Sequence, residues 1–401
     1  MTTDGELASS HPGDEHETPE LYGIPFYCVQ AHTSALTTLK ARIAQHYDLA
    51  STYYYSLWGQ HIHHGLFTNG ATTKEAAQGN LIDFMLEFSE FPKSGATVLD
   101  VGCGLGGTCR YLAQRRGSTV TGITISEQQI GLARKITGQD AAAEEPQSSN
   151  GDFTSKGSTM NGSIDETPAP VSQDALASTP FLHYGSEGGQ VRFLHLDAEQ
   201  MSKHLPPATY THVWVTEALS HIPNKALFFK SAFDLLKPAT SAQPSRLIIA
   251  DWFRGPPESF TLADDAAASS LTPAQLSTVA QIEDGMLLPE LPSVQSYIAH
   301  ALAAGFTLMR APPPSTHLTS FTSTDNYTAT LQNPIDISPH VAATWDISWS
   351  LVSSPSLWAY AISQGRDGLS FLQSFRAMRR GYKEGSLRYG VVVFEKPVAE
   401  A

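Results

Sequence analysis

At 401 residues, 41% of them hydrophobic, the chain is long for one domain, short for three, and composed like an ordinary globular protein. No apolar run reaches the length of a membrane span, and the N-terminal stretch MTTDGELASSHPGDEHE has neither the basic region nor the apolar core of a secretory leader. The net charge of −14 sits almost wholly in residues 1–20, with six acids and no Lys or Arg, and in 138–190, with eight acids and one Lys, so the rest is nearly neutral and offers no broad field to nucleic acid or an anionic membrane.

In chain order, residues 1–20 read as a solvated acidic tail and 21–95 as a cap preceding the sheet. Inside the cap, YDLASTYYYSLWGQHIHHGLF (47–67) packs six aromatic rings and three histidines into one stretch. His61 and His63 stand two apart, but a third or fourth ligand at sensible spacing is not evident, so a metal site is not expected. Pocket wall and buried aromatic packing remain the readings for it. Apolar runs at 97–102, 118–124, 191–196, 210–216 and 246–251 then have the character of buried parallel strands. Helical stretches at 106–116, 126–137 (with Ser126 as N-cap) and 223–236 separate them, which is the pattern of a doubly wound sheet. Residues 138–186, rich in Ser, Gly, Pro and acid, lack the large apolar side chains needed to offset ordering entropy and read as a disordered insertion in a surface loop. Beyond 251 come a Pro- and Ala-rich region, a helix (293–304), a strand (305–310), a helix near 366–381 and a last strand, 386–395. Segments of about 256–300 and 318–365 read as a lid over the carboxyl ends of the strands, where open α/β sheets bind ligands. The three cysteines form no CxxC pair, which points to a reducing compartment, the cytoplasm.

VLDVGCGLGGT (98–108) runs from a strand through a glycine turn into a helix. Gly102, Gly104 and Gly106 let a ligand approach the backbone, and with Gly107 the stretch also fits the dinucleotide fingerprint. Asp100 helps to separate the two cofactors this loop could take. A carboxylate there suits a cofactor with a cationic amino-acid end and would repel a pyrophosphate. The next strand ends in Gly122-Ile123-Thr124, without the acid that NAD's ribose requires.

These motifs resemble those of class I S-adenosylmethionine-dependent methyltransferases, more narrowly the γ-tocopherol C-methyltransferase group and, more distantly, sterol C-methyltransferases. The resemblance covers roughly 40–137 and 186–397 and rests on VLDVGCGLGG, GITIS (122–126), LDAEQM (196–201), EALSHIPNK (217–225) and GYKEGSLRYGVVVFEKP (381–397). It implies a seven-stranded doubly wound sheet in a methyltransferase domain spanning 96–397, with a helical lid and N-terminal helices, and S-adenosyl-L-methionine as cofactor. It also implies that Asp100, Gly102, Gly104, Gly106, Thr124, Asp197 and Ala198 contact that cofactor. The opening stretch matches the group's N-terminal motif, so Tyr47, Trp58 and His63 or His64 are expected at the methionine end or in the acceptor pocket, where aromatic faces suit a sulfonium.

Methyl transfer needs the nucleophile in line with the methyl–sulfur bond and a destination for any proton the nucleophile loses. Glu217 and His221 follow the fourth strand and are the expected catalytic pair, sharing one face if their turn is helical. Glu217 could steady a cationic acceptor or act as base, and His221 could take a proton near neutral pH. The lid's Leu, Phe, Trp and Ala, with little charge, suit a small apolar, ring-containing acceptor and not a protein or nucleic acid. Trp345, Trp349 and Trp358 either border that pocket or pack the lid. The atom methylated, carbon or nitrogen with oxygen an option, is not fixed by motif. Two other classes stay open at this point: a methyltransferase-fold cyclase or isomerase that keeps the cofactor without turnover, and a nicotinamide oxidoreductase.

Overall fold

The computed structural model describes residues 39–45, 47–48, 51, 55, 58–144, 179–260, 271–324, 327–352, 355–363 and 365–398. The acidic tail 1–20 and most of the expected insertion, 145–178, lie outside them. From the insertion's flanks, helix runs on to Glu144 and a short strand forms at Leu182–His183.

The central strands are β1 (Thr97–Val101), β2 (Thr119–Thr124), β3 (Leu182–His183), β4 (Gln190–His195), β5 (His212–Thr216), β6 (Ser245–Arg254), β7 (Thr307–Leu308), β8 (Ile335–Asp336) and β9 (Leu387–Lys396). They form one sheet in the order β8-β9-β6-β5-β1-β2-β4-β3, with β7 also paired to β9. β4, β2, β1, β5 and β6 are mutually parallel, and β9 runs antiparallel to β6 over ten residue pairs. The expected seven strands are the core of this sheet. The two-residue strands β3 and β8 extend it to nine.

Period-2 alternation distributes the sheet's side chains between two apolar layers. Val98, Val120, Val191, Trp214, Ile248 and Val393 point to one, where helices α1 (Lys74–Phe88), α2 (Gly107–Arg116) and α3 (Glu127–Glu144) contribute Phe84, Leu112 and Ile130. Leu99, Ile123, Val213, Leu247 and Phe394 point to the other, against Phe228 and Phe229 of α4 (Lys225–Leu235) and Tyr297 of α6 (Val294–Ala303). Helix starts follow their caps: Ser126 Oγ accepts from Gln129 N at 3.2 Å at the head of α3, Asn224 caps α4, and Thr272 with Gln275 forms a capping box on α5 (Pro273–Gly285).

α5 packs on α8 (Gly365–Glu384) so closely that a Cβ on Gly285 would meet Ser374 Cβ at 2.4 Å. Together with α7 (Ala343–Val352), these helices bring Met286, Trp345 and Phe375 over the carboxyl end of β5.

Candidate functional site

Two adjoining spaces open at the carboxyl ends of β1 and β5. The first lies on the glycine turn. Asp100, Gly102, Gly104 and Thr216 line it on one side, and Gln60, His61, Ile62 and His63 on the other. Gly102 and Cys103 both donate backbone N–H bonds to Ile123 O, at 2.9 and 3.0 Å, which pins the turn to β2. Gly102 has φ +76°, and a Cβ there would meet Ala218 Cβ at 2.2 Å, so only glycine lets the corner after β5 lie against this turn. Gly104 has φ +54°, and its Cβ would point into open space, as a cradle for a ligand requires. Gly106 faces elsewhere: its Cβ position lies 2.5 Å from the Phe193 ring, so packing against β4 demands this glycine.

Asp100 is buried, with the Cys109 thiol donating to its Oδ2 at 3.0 Å. Burial pushes its pKa up to about 7, against the thiol's opposing pull. His61 Nδ1 and His63 Nε2, both buried, have no hydrogen-bond partner among the described residues.

The second space is aromatic and contains one carboxylate. Tyr47, Trp58, Trp252, Trp345 and Phe375 line it with Glu217, and Ile62 and His63 line both spaces. Glu217 leaves β5 with φ +54°, rare for a non-glycine residue and a type of strain found at functional sites. Its own N–H still bonds to Ala250 O at 2.8 Å, so the corner is anchored to β6. Three donors converge on Glu217 Oε1: His64 N at 2.6 Å, His64 Nδ1 at 3.0 Å and Tyr389 Oη at 2.8 Å. Trp345 Nε1, which can only donate, reaches His64 Nε2 at 2.6 Å, so His64 carries its proton on Nδ1, toward Glu217. Tyr382 Oη stands 3.2 Å from the same Nε2. Burial works to raise the pKa of Glu217, but the His64 side chain and backbone outweigh it and hold the carboxyl below its usual range. Tyr382 and Tyr389 are pushed well above the ordinary phenol value, first by burial and then by Glu217, and stay neutral donors. The pocket therefore contains a carboxylate that stays ionised among ring faces, an arrangement that attracts a cation.

Of the sequence-derived candidates, Asp100, Gly102 and Gly104 line the first space, and Tyr47, Trp58 and Glu217 the second. His221 lines neither. It lies in a 3₁₀ turn, Leu219–His221, behind Tyr47, whose Oη is 3.4 Å from its Nε2. With Glu217 left-handed and a 3₁₀ turn after it, the condition for a shared helical face, a helical turn between the two, is not met. Thr124 donates to Gln129 Oε1 at 2.7 Å and Asp197 caps the turn Ala198–Gln200 through Glu199 N. Neither these residues nor Ala198 reach the two spaces.

Sequence reading missed Tyr382 and Tyr389, although both lie in the C-terminal motif. It also missed Asp251, a buried acid within β6 whose Oδ2 accepts from Ser220 N at 2.8 Å and Tyr297 Oη at 2.9 Å. Burial pushes Asp251 up to about 6. The one polar residue closing the run RLIIAD was the available signal.

A family profile described as mycolic acid cyclopropane synthetase matches residues 35–154. A chain from Oryza sativa subsp. japonica named "Probable tocopherol O-methyltransferase, chloroplastic" is 26% identical over 90% of this chain and 79% of its own length. The 2-methyl-6-phytyl-1,4-hydroquinone methyltransferase of Synechocystis sp. is 30% identical over 49% of this chain and 45% of its own. Among solved structures, a mycolic acid cyclopropane synthase, CmaA1, complexed with SAH and CTAB, superposes with a TM-score of 0.59 at 17% identity, covering 89% of this chain and 98% of that one.

Proposed function

We propose that this chain, a class I S-adenosylmethionine-dependent methyltransferase that resembles the tocopherol methyltransferases, methylates a small, largely apolar, ring-containing metabolite at carbon or nitrogen. The observation that carries the acceptor class is the second space, walled by aromatic rings around one carboxylate and joined to the glycine-turn space at Ile62 and His63. The names of the relatives, a tocopherol and an alkylated hydroquinone methyltransferase, are of this substrate type.

The first space fits the cofactor: Gly104 leaves its side-chain volume open, Asp100 offers a carboxylate for a cationic amino-acid end, and no acid closes β2 to hold a nicotinamide nucleotide's ribose. Bound there, S-adenosylmethionine supplies a methyl group on a positively charged sulfur. Glu217, with Tyr47, Trp58 and Trp345 around it, steadies positive charge in the second space. Its basicity is depressed, so it is a poor proton acceptor. His221 acts through Tyr47, which it positions from behind. Two buried thiols, Cys103 and Cys109, favour a reducing compartment, the cytoplasm. No helix among the described residues is long and apolar enough to cross a membrane.

Calorimetry with S-adenosylhomocysteine and NAD, followed by transfer of labelled methyl to 2-methyl-6-phytyl-1,4-hydroquinone, tests this reading. Binding of the first alone and a labelled product are expected. Binding of NAD alone would overturn the cofactor, and consumption of the acceptor without release of S-adenosylhomocysteine would favour a cyclase or isomerase.

A further inference from the structure

We propose that His63 is the proton acceptor of the transfer reaction, because it lines both the cofactor space and the acceptor space and its Nε2 is a buried lone pair without a partner among the described residues. The inference rests on the methyl-transfer reading above and adds a residue to it.

The tautomer follows from one contact. His63 Nδ1 lies 2.8 Å from His64 O, and a carbonyl only accepts, so Nδ1 carries the proton and Nε2 is bare. Gln78 Nε2 donates to His61 O at 2.8 Å and to His63 O at 3.1 Å, holding this segment against α1. Buried polar atoms are almost always paired, and leaving one unpaired costs stability. An unpaired imidazole nitrogen on a residue that lines both ligand spaces is the group to which a ligand's proton can pass once the side chain turns toward it.

The neighbouring candidates are already committed. His64 Nε2 accepts from Trp345, Glu217 Oε1 has three donors, and His221 lines neither space. His61 lines only the cofactor side. The charged and titratable groups facing His63 are the His61 ring at 5.1 Å between centroids, His64, Glu217, and Asp100 across the cofactor space. Burial lowers the His63 pKa below 6.5, the Glu217 carboxylate pulls it back up, and the net direction is down. His63 is therefore a neutral base at pH 7. Glu217 then stabilises the imidazolium formed when the proton arrives.

The acceptor atom bonds to the methyl carbon, the carbon–sulfur pair departs with neutral S-adenosylhomocysteine, and the acceptor's X–H bond leaves its electrons on X while its proton passes to His63 Nε2. Release of that proton to water resets the residue.

His63→Asn is the informative variant, because its amide N–H can still donate to the His64 carbonyl while the basic nitrogen is gone. With 2-methyl-6-phytyl-1,4-hydroquinone as probe, turnover should fall by roughly 10²–10⁴ while S-adenosylhomocysteine affinity stays within a few-fold. In the wild type, kcat/KM should fall in acid with a midpoint below 6.5 and be flat in this group above pH 7, and the variant should lose that limb. Nitrogen-15 NMR of the free protein should show His63 deprotonated, with the hydrogen on Nδ1, at pH 7. Wild-type turnover with an intact acid limb in His63→Asn would overturn the proposal, as would an Nε2–H tautomer in the wild type. A wild type that binds S-adenosylhomocysteine but does not methylate this probe would overturn the acceptor class instead, and the tautomer would still decide His63.

Discussion

The two spaces at the sheet's carboxyl edge are built in opposite ways. The cofactor side is largely a local construction: Asp100, Gly102 and Gly104 fall within five consecutive residues, held by bonds from the turn to Ile123 O. The acceptor side is assembled from far apart. Its carboxylate is residue 217, the histidine oriented toward it is 64, and the groups that fix the pair are Trp345, Tyr382 and Tyr389. The difference separates what substitutions on each side should do.

The sharpest test of the acceptor side is Glu217→Gln. The amide keeps the volume and can still accept from His64 N and Tyr389, but the negative charge is gone. Turnover should fall by roughly 10²–10⁴ with S-adenosylhomocysteine affinity within a few-fold, by calorimetry beside a steady-state assay. Equal loss of both would erase the division between the two sides.

Gly104→Val tests the cofactor side. The new Cβ meets no protein atom within 4 Å, so melting should change only by the cost of a β-branched residue at φ +54°, about 1–2 kcal/mol. Its branches enter the space facing the turn, and S-adenosylhomocysteine affinity should drop by at least roughly 100-fold, or about 2.7 kcal/mol. Unchanged affinity would place the cofactor elsewhere.

Trp345→Phe probes how firmly the long-range network is tied. The ring remains but the N–H donated to His64 Nε2 does not, leaving Tyr382 as the neighbour of that nitrogen. A single lost buried hydrogen bond should cost about 1 kcal/mol in stability. The freed choice of tautomer should lower turnover by roughly tenfold, the same currency of about 1.4 kcal/mol. A normal rate would show that Glu217 keeps His64 oriented unaided.

Legibility in the sequence followed the same division. The positions of the parallel strands, the glycine turn and the pairing of Asp100 with it could be read because each signal lies within about ten residues. The aromatic and histidine stretch could be noticed but not resolved. What distinguishes His63 from His64 is that one bonds to its neighbour's carbonyl and the other is held between residues 217 and 345, and spacing carries neither fact. Glu217 and His221 would share one face only if their turn were helical; a positive φ at Glu217 turns the chain there instead, and local pattern does not report a strained residue. Tyr389 sits in a run of strand residues that reads as core. Only its register opposite Trp252 on β6 places its hydroxyl beside the carboxylate.

The smallest expected effect is a pH dependence confined to the cofactor side. Asp100 has its pKa raised to about 7 by burial, so near neutrality in the ligand-free protein its carboxyl is about half protonated. A cationic amino-acid end beside it favours the ionised form, so binding must drive off that proton. Below pH 7, S-adenosylhomocysteine affinity should rise by up to roughly tenfold per pH unit and then level off, and Asp100→Asn should bind more weakly but without the slope. The same shift predicts the stability of the free protein. A folded pKa above the unfolded value gives a contribution fully present below the unfolded pKa, 3.8, and lost as pH rises through about 7. Asp251, raised to about 6, adds a loss of the same sign. On their own these two acids therefore open a stability gap, lower at pH 8 than at pH 5, against an opposing trend from buried His61, His63 and His212, whose pKa values burial lowers. S-adenosylhomocysteine should narrow that gap, because it supplies the charge that ionised Asp100 lacks, while the part due to Asp251, which bonds to Ser220 and Tyr297 behind the site, should remain. Parallel melting curves with and without ligand, at both pH values, separate the two acids. A ligand that leaves the whole pH gap unchanged would remove Asp100 from the cofactor's side.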